Sequence, residues 1–251
     1  MLIDCHCHLS FPEFSADLDD TLIKLKNSFY RVIESTVNLE NSKRALALFS
    51  DCDIINFALG FHPYYAEEFS DELLKEYTKL IDGNKRIVAI GEVGLDIKSK
   101  ASLDKQKDVL SAFIDLSKQF DLPLVIHNRG FKETPLKLVK EKGLKKVIFH
   151  CFSQDKEFLQ DLIDNGYFAS FAGNITFRNA SAIKQAAGCC PESNILSETD
   201  SPYLAPQIIR GKRNSPLYVK EVVNEIAKIK NKEAPQIQNS ILKNAQYVFR
   251  I

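Results

Sequence analysis

The sequence predicts an α/β fold, a (β/α)8 TIM barrel formed by residues 1–251 as a single domain. Three observations predict it. Eight short apolar runs recur along the chain, amphipathic stretches lie between them, and the unusual polar residues fall at the carboxyl ends of the apolar runs. The length agrees, since such a barrel takes ~250 residues. An open doubly wound sheet is the alternative, but no Gly-x-Gly-x-x-Gly follows the first run, which weakens a dinucleotide-binding version.

The apolar runs are residues 2–6, 31–37, 54–61, 87–93, 122–127, 146–150, 167–171 and 194–198. Short, nearly continuous apolar runs suit parallel strands covered on both faces. Helical spacing follows in 16–29, where Leu18, Leu22, Leu25 and Phe29 recur at three and four. It continues in 66–82, 103–120, 155–165, 177–187, 216–230 and 236–249. Asn214-Ser215-Pro216 reads as a helix start, with serine as N-cap and proline in the first turn. No repeat, low-complexity tract or linker interrupts the series.

Composition excludes several classes. With 45% hydrophobic and 26% charged residues the chain is an ordinary globular protein. No run approaches the ~18 apolar residues of a membrane helix, and the first residues lack a basic and apolar leader. A cytoplasmic protein, expected as a monomer, follows. The six cysteines are expected as free thiols. Lys+Arg and Asp+Glu are equal at 33, so the net charge of +0 gives no global attraction to nucleic acid. An anionic substrate needs a local cluster or a metal.

All five histidines lie in or just after apolar runs, where a barrel presents functional residues. His6 and His8, two apart on the first run, share a face and can grip one ion. Cys5 and Cys7 then point the other way, and the spacing is too tight for a thiolate knuckle. Asp4 is placed to orient a ligand or close the barrel bottom. Glu92 ends the fourth run between Gly91 and Gly94, with two oxygens able to bridge two ions. A salt bridge to a barrel arginine is its other reading. Asp96 is placed beyond the strand, as a loop residue or as a partner behind a ligand. His127 and His150 end the fifth and sixth runs as further ligands. Asp200 and Glu198, two apart at the end of the eighth run, are expected to face one side. Asp200 at the mouth would hold metal and take a proton from water, and Glu198 would back an imidazole. Arg129 can hold a phosphate or a carboxylate, and the basic loop Arg210, Lys212 and Arg213 gives a local positive field if it folds over the mouth, or else is a solvated charged loop.

Asp4-Cys5-His6-Cys7-His8, Gly60-Phe61-His62-Pro63, Gly91-Glu92-Val93-Gly94-Leu95-Asp96, Ile126-His127, His150-Cys151-Phe152-Ser153, Glu198-Thr199-Asp200-Ser201-Pro202-Tyr203-Leu204 and Arg210-Gly211-Lys212-Arg213-Asn214 together resemble the TatD-type metal-dependent deoxyribonucleases of the amidohydrolase-like superfamily. The resemblance covers essentially the whole chain. It implies a dinuclear site of divalent ions, Mg²⁺, Mn²⁺, Zn²⁺ or Ni²⁺, and hydrolysis of phosphodiester bonds in DNA, with exonuclease action expected. His6, His8 and Asp200 would hold one ion, His127 and His150 the other, and Glu92 both. Glu92 and Asp200 would be the catalytic carboxylates and His62 a substrate contact; on a DNA substrate Arg129, Arg210, Lys212 and Arg213 would position flanking phosphates, and Tyr203 or Tyr64 would stack a base.

The chain departs from that pattern on rim loops. Ile97 replaces a tyrosine, 98–103 is short and lacks an arginine, Gln154 replaces a glycine and Ser215 a glutamate. These departures put the substrate in question. The alternative activity is a metal-dependent amidohydrolase or deacylase acting on a small molecule or aminoacyl substrate. Many such enzymes bridge their metals with a carbamylated lysine, and no lysine stands at a run end here. A barrel that only binds would need a missing ligand, and none is missing.

Overall fold

The computed structural model describes residues 1–251, and its eight strands pair in parallel in chain order. They are β1 (Leu2–Cys7), β2 (Phe29–Ser35), β3 (Ile55–Phe61), β4 (Ile87–Asp96), β5 (Leu124–Arg129), β6 (Val147–Phe149), β7 (Phe168–Phe171) and β8 (Ile195–Ser197). A bridge between Cys7 and Ser201 closes the ring, where Asp200 N donates to His6 O at 2.9 Å and His8 N to Ser201 O at 2.8 Å. The barrel is therefore sewn shut beside the histidines rather than along β8, which has only three residues.

Nine α-helices cover the barrel: α1 (Leu18–Ser28), α2 (Leu39–Leu48), α3 (Asp71–Ile81), α4 (Leu103–Phe120), α5 (Thr134–Glu141), α6 (Lys156–Asp164), α7 (Ser181–Cys189), α8 (Val219–Ile229) and α9 (Ala234–Phe249). The sequence reading named seven. It passed over α2 and α5, which have ten and eight residues. Both are short, and α2 buries Asn41 and Ser42 beside Ala45, which interrupts its apolar stripe. Pro216 opens a 3-10 turn rather than α8, and the Ser215 hydroxyl caps nothing. A capping box between Glu233 and Gln236 starts α9.

One continuous apolar core runs through the barrel wall into the helices. All six cysteines are free. No helix is long and apolar enough to cross a membrane.

Gly94 shows how closely the wall is drawn around the site. It pairs with His127 across β4 and β5, and a Cβ there would overlap the His127 carbonyl oxygen. Gly91 has φ +133°, a conformation favouring glycine, and lies against Val125 in the same way.

Candidate metal centre

His6 from β1 and His8 just after it, Glu92 from β4, His127 from β5, His150 just after β6 and Asp200 beyond β8 meet at one end of the barrel. Glu92 lies at the centre of the group, almost fully buried. Its Oε2 is 2.9 Å from His150 Nε2 and 3.3 Å from His127 Nδ1, and its Oε1 is 3.6 Å from His8 Nε2. Asp200 Oδ1 approaches from the opposite side, 3.3 Å from His8 Nε2 and 3.7 Å from His6 Nε2. The six expected ligands are thus one cluster. No barrel arginine pairs with Glu92.

The far nitrogens of three imidazoles fix their orientation. His8 Nδ1 donates to the Ser35 carbonyl at 2.8 Å. His127 Nε2 meets Asp96 Oδ2 at 3.1 Å, and His150 Nδ1 meets Glu198 Oε1 at 3.3 Å. With an acceptor behind each ring, the near nitrogen carries a lone pair toward the carboxylates. That arrangement is repulsive unless a proton or a metal ion stands between them. His6 has no hydrogen-bond partner at either nitrogen although it is fully buried. It stacks on His150 at 4.1 Å. An unpartnered buried imidazole costs on the order of 1–3 kcal/mol, and a divalent ion removes that cost. The residues fit the metal that the sequence implies. His6, His8 and Glu92 offer three ligand atoms within 4.8 Å of one another, and so do His62, Glu92 and His127.

Without metal the protons are distributed by burial against charge. Burial opposes a charge on His8, but Asp200, Glu92 and Glu34 outweigh it and hold its pKa at about 9. Burial likewise opposes charge on His150 and His127. Glu92 and Glu198 raise His150 well above the ordinary value, and Asp96 and Glu92 raise His127. Burial and the neighbouring His150 push His6 well down. Burial drives His62 to about 3, so it is neutral across the physiological range. For Glu92, the surrounding imidazoles overcome burial and hold it well below the usual carboxylate value.

Some expectations need correction. Glu198 and Asp200 do not alternate along a strand, because β8 ends at Ser197 and Asp200 has φ +53°. Glu198 reaches behind His150 and accepts from Cys151 N, while Asp200 enters through a turn. Asp96 lies within the strand rather than beyond it: it ends β4, buried, and of its two expected roles it takes that of a partner behind His127. Of the two roles expected for Asp4, orienting a ligand is not seen, and closing the barrel is, at the ligand end rather than the bottom. Asp4 accepts from Thr199 N and Thr199 Oγ1, joining β1 to the chain beyond β8.

The centre opens into a cavity of about 590 Å³. His62, Arg129 and Tyr203 line it as expected, along with Tyr64. His62 Nδ1 accepts from Tyr64 N, leaving Nε2 free. Arg210, Lys212 and Arg213 are not brought to the cavity. Arg213 is clamped by both Asp17 oxygens and lies over Phe14, and Arg210 lies over Phe177. Sequence reasoning missed Phe11, stacked on His8 at 4.7 Å, and Asn128 and Asn174 in the cavity wall. It also missed Glu34, a buried carboxylate at the end of β2 that accepts from Leu9 N and Ser10 N. Glu34 carried the same signal as Glu92, a carboxylate ending an apolar run.

An eight-stranded parallel barrel with histidines and carboxylates converging at one end carries the ligand set of a divalent-metal site where such barrels place their active sites. The comparisons are narrower. The profile described as TatD related DNase matches residues 3–250, and the chain belongs to that family. The uncharacterized metal-dependent hydrolase YabD of Bacillus subtilis is 35% identical over 100% of both chains. The uncharacterized metal-dependent hydrolase MJ1582 of Methanocaldococcus jannaschii is 31% identical, covering 99% of this chain and 96% of its own. The crystal structure of YjjV, a TatD homologue from Escherichia coli, superposes with a TM-score of 0.93 at 27% identity, covering 100% of this chain and 98% of that one.

Proposed function

We propose that this hydrolase cleaves phosphodiester bonds in DNA with two divalent ions, Mg²⁺, Mn²⁺, Zn²⁺ or Ni²⁺. His6, His8 and Asp200 would hold one, His127 and His150 the other, and Glu92 both. The observation that carries the reading is the convergence of imidazole nitrogens on Glu92, with acceptors behind three of the rings. Bound there, divalent ions would supply Lewis acidity and lower the pKa of water toward neutrality.

The protein's own groups do the rest. Asp200, at the cavity wall, takes the proton of the attacking water as the new P–O bond forms and the bond to the leaving oxygen breaks, and the leaving oxygen takes a proton from solvent water. Neutral His62 donates a hydrogen bond from Nε2, since its Nδ1 already accepts from Tyr64 N. Arg129, with no carboxylate within salt-bridge distance, holds a phosphate oxygen. Tyr64 and Tyr203, each about half exposed at the mouth, stack bases.

One observation favours the second reading, an amidohydrolase or deacylase for a small or aminoacyl substrate. The basic loop turns away, so Arg129 is the one arginine or lysine in the cavity wall. The deciding assay sets single- and double-stranded DNA with each metal against aminoacyl and cyclic-amide substrates. Turnover on DNA that disappears in the His6→Ala/Asp200→Ala double variant is expected. Turnover on an amide far above that on DNA overturns the nuclease reading.

A further inference from the structure

Asp200 reaches His6 and His8 from a turn with φ +53°, in the left-handed region that few residues other than glycine enter. Such a turn persists only where its surroundings over-determine it. Before it, Thr199 N and Oγ1 donate to fully buried Asp4, at 2.9 and 2.6 Å. After it, the Ser201 carbonyl accepts from His8 N at 2.8 Å. A third support comes from outside the barrel wall. Asn214, fully buried, donates from Nδ2 to the Thr199 carbonyl at 2.9 Å and from its backbone N to the Pro202 carbonyl at 3.0 Å. Its Oδ1 accepts from Ser215 N at 2.9 Å.

We infer that Asn214 is a positioning residue for Asp200: it ties the carbonyls on either side of the turn and so aims the carboxylate at His6 and His8. The contribution of the Arg210–Asn214 loop to the site is then its asparagine and not its basic side chains. Arg213 anchors the same loop on Asp17 from outside. The inference rests on the reading of Asp200 as a ligand.

Asn244 supplies the contrast. Its Nδ2 donates to Glu192 O at 2.6 Å and Ile195 O at 2.8 Å, so a carboxamide also ties backbone carbonyls at the opposite end of β8, away from the site. Mn²⁺ affinity by titration calorimetry, thermal midpoint, and kcat and KM on bis(p-nitrophenyl) phosphate are compared for wild type, Asn214→Ala, Asn214→Ser, Asn244→Ala and Asp200→Ala. Asn214→Ala is expected to weaken Mn²⁺ about 10- to 100-fold and to lower kcat with KM little changed. Asn244→Ala is expected to lower the midpoint and leave Mn²⁺ affinity unchanged. If Asn214→Ala does not fold, Asn214→Ser decides by the same affinity. Equal Mn²⁺ affinity in wild type and the folded Asn214 variant overturns the inference. Unchanged Mn²⁺ affinity in Asp200→Ala instead overturns the ligand reading itself.

Discussion

Glu92 Oε2 stands 2.9 Å from His150 Nε2, while the other nitrogen of that ring faces Glu198 Oε1 at 3.3 Å. The imidazole is held between two buried carboxylates, one facing the cavity and one behind it. Replacing Glu92 by Gln keeps the shape and removes the charge that balances the cluster. Glu92→Gln is expected to reduce turnover by at least about a hundredfold and to lower bound divalent metal below the wild-type stoichiometry. Metal analysis after dialysis, paired with kinetics, checks it; a variant retaining full metal and rate would mean that Glu92 holds no ion.

The residue behind the ring should matter almost as much. Glu198 never reaches the cavity, yet Glu198→Ala leaves His150 Nδ1 and Cys151 N without their acceptor. Asp96→Ala does the same to His127 Nε2. Outer partners of metal-binding histidines typically contribute 10- to 100-fold in affinity or activity. Each variant is expected to fall about that far in Zn²⁺ affinity, measured by competition with a chelating dye. A loss below about twofold in both would show that the tautomers are fixed in another way.

Metal loading must displace protons. His8 keeps one up to about 9 in the metal-free protein, and His127 and His150 are also raised. A raised pKa means that the proton competes with metal below that value. Apparent affinity is therefore expected to rise with pH up to about 9, roughly tenfold per unit for each proton released. Calorimetry at pH 7 in buffers of different ionisation enthalpy counts the protons. The same sign applies to stability. The contribution of these rings in the metal-free protein is fully present below the unfolded value near ~6.5 and is lost as pH rises through about 9 for His8. A heat of binding independent of buffer would contradict the protonation assigned to His8.

Much of this was legible because the chemistry lies on regular elements. His6, Glu92 and His127 sit in or at the ends of strands whose apolar runs announce them, and parallel strands in order bring those ends together. Glu198 and Asp200 were harder, since the chain leaves β8 before either of them and period-two reasoning does not extend into a turn. The basic loop misled for a related reason. A run of Arg and Lys states a charge but not a direction, and Asp17, far away in sequence, captures Arg213. Phe11 and Ser35 act through stacking and a backbone carbonyl, which no residue type signals.

Two arginines test that distinction. Arg129 lines the cavity, whereas Arg213 spans a partly exposed pair with Asp17. Arg129→Ala is expected to raise KM for a phosphodiester about tenfold, close to 1.4 kcal/mol. Arg213→Ala should cost at most about 1 kcal/mol of stability, in line with an exposed pair, and leave KM within twofold. Steady-state kinetics and denaturant unfolding separate the two. A larger KM effect at Arg213 would return the basic loop to the substrate.

Gly94→Ala connects the wall to the chemistry. The added methyl has no free space, because its nearest neighbour is the backbone carbonyl of His127 and not the end of a flexible side chain. Relief requires β4 and β5 to separate at the pair Gly94–His127, two residues beyond Glu92. Forcing a methyl into packed structure typically costs about 1–3 kcal/mol. Backbone resistance places this one at the upper end. The separation also carries His127 away from Glu92 Oε2, now 3.3 Å from its Nδ1. The variant is therefore expected to lose stability and metal affinity together, whereas Gly143→Ala, at a glycine with open space and φ +68°, should lose stability alone. Parallel denaturant unfolding and Mn²⁺ titration of both proteins checks this. Wild-type metal affinity in a destabilised Gly94→Ala would show that the strand spacing does not set the geometry of the centre.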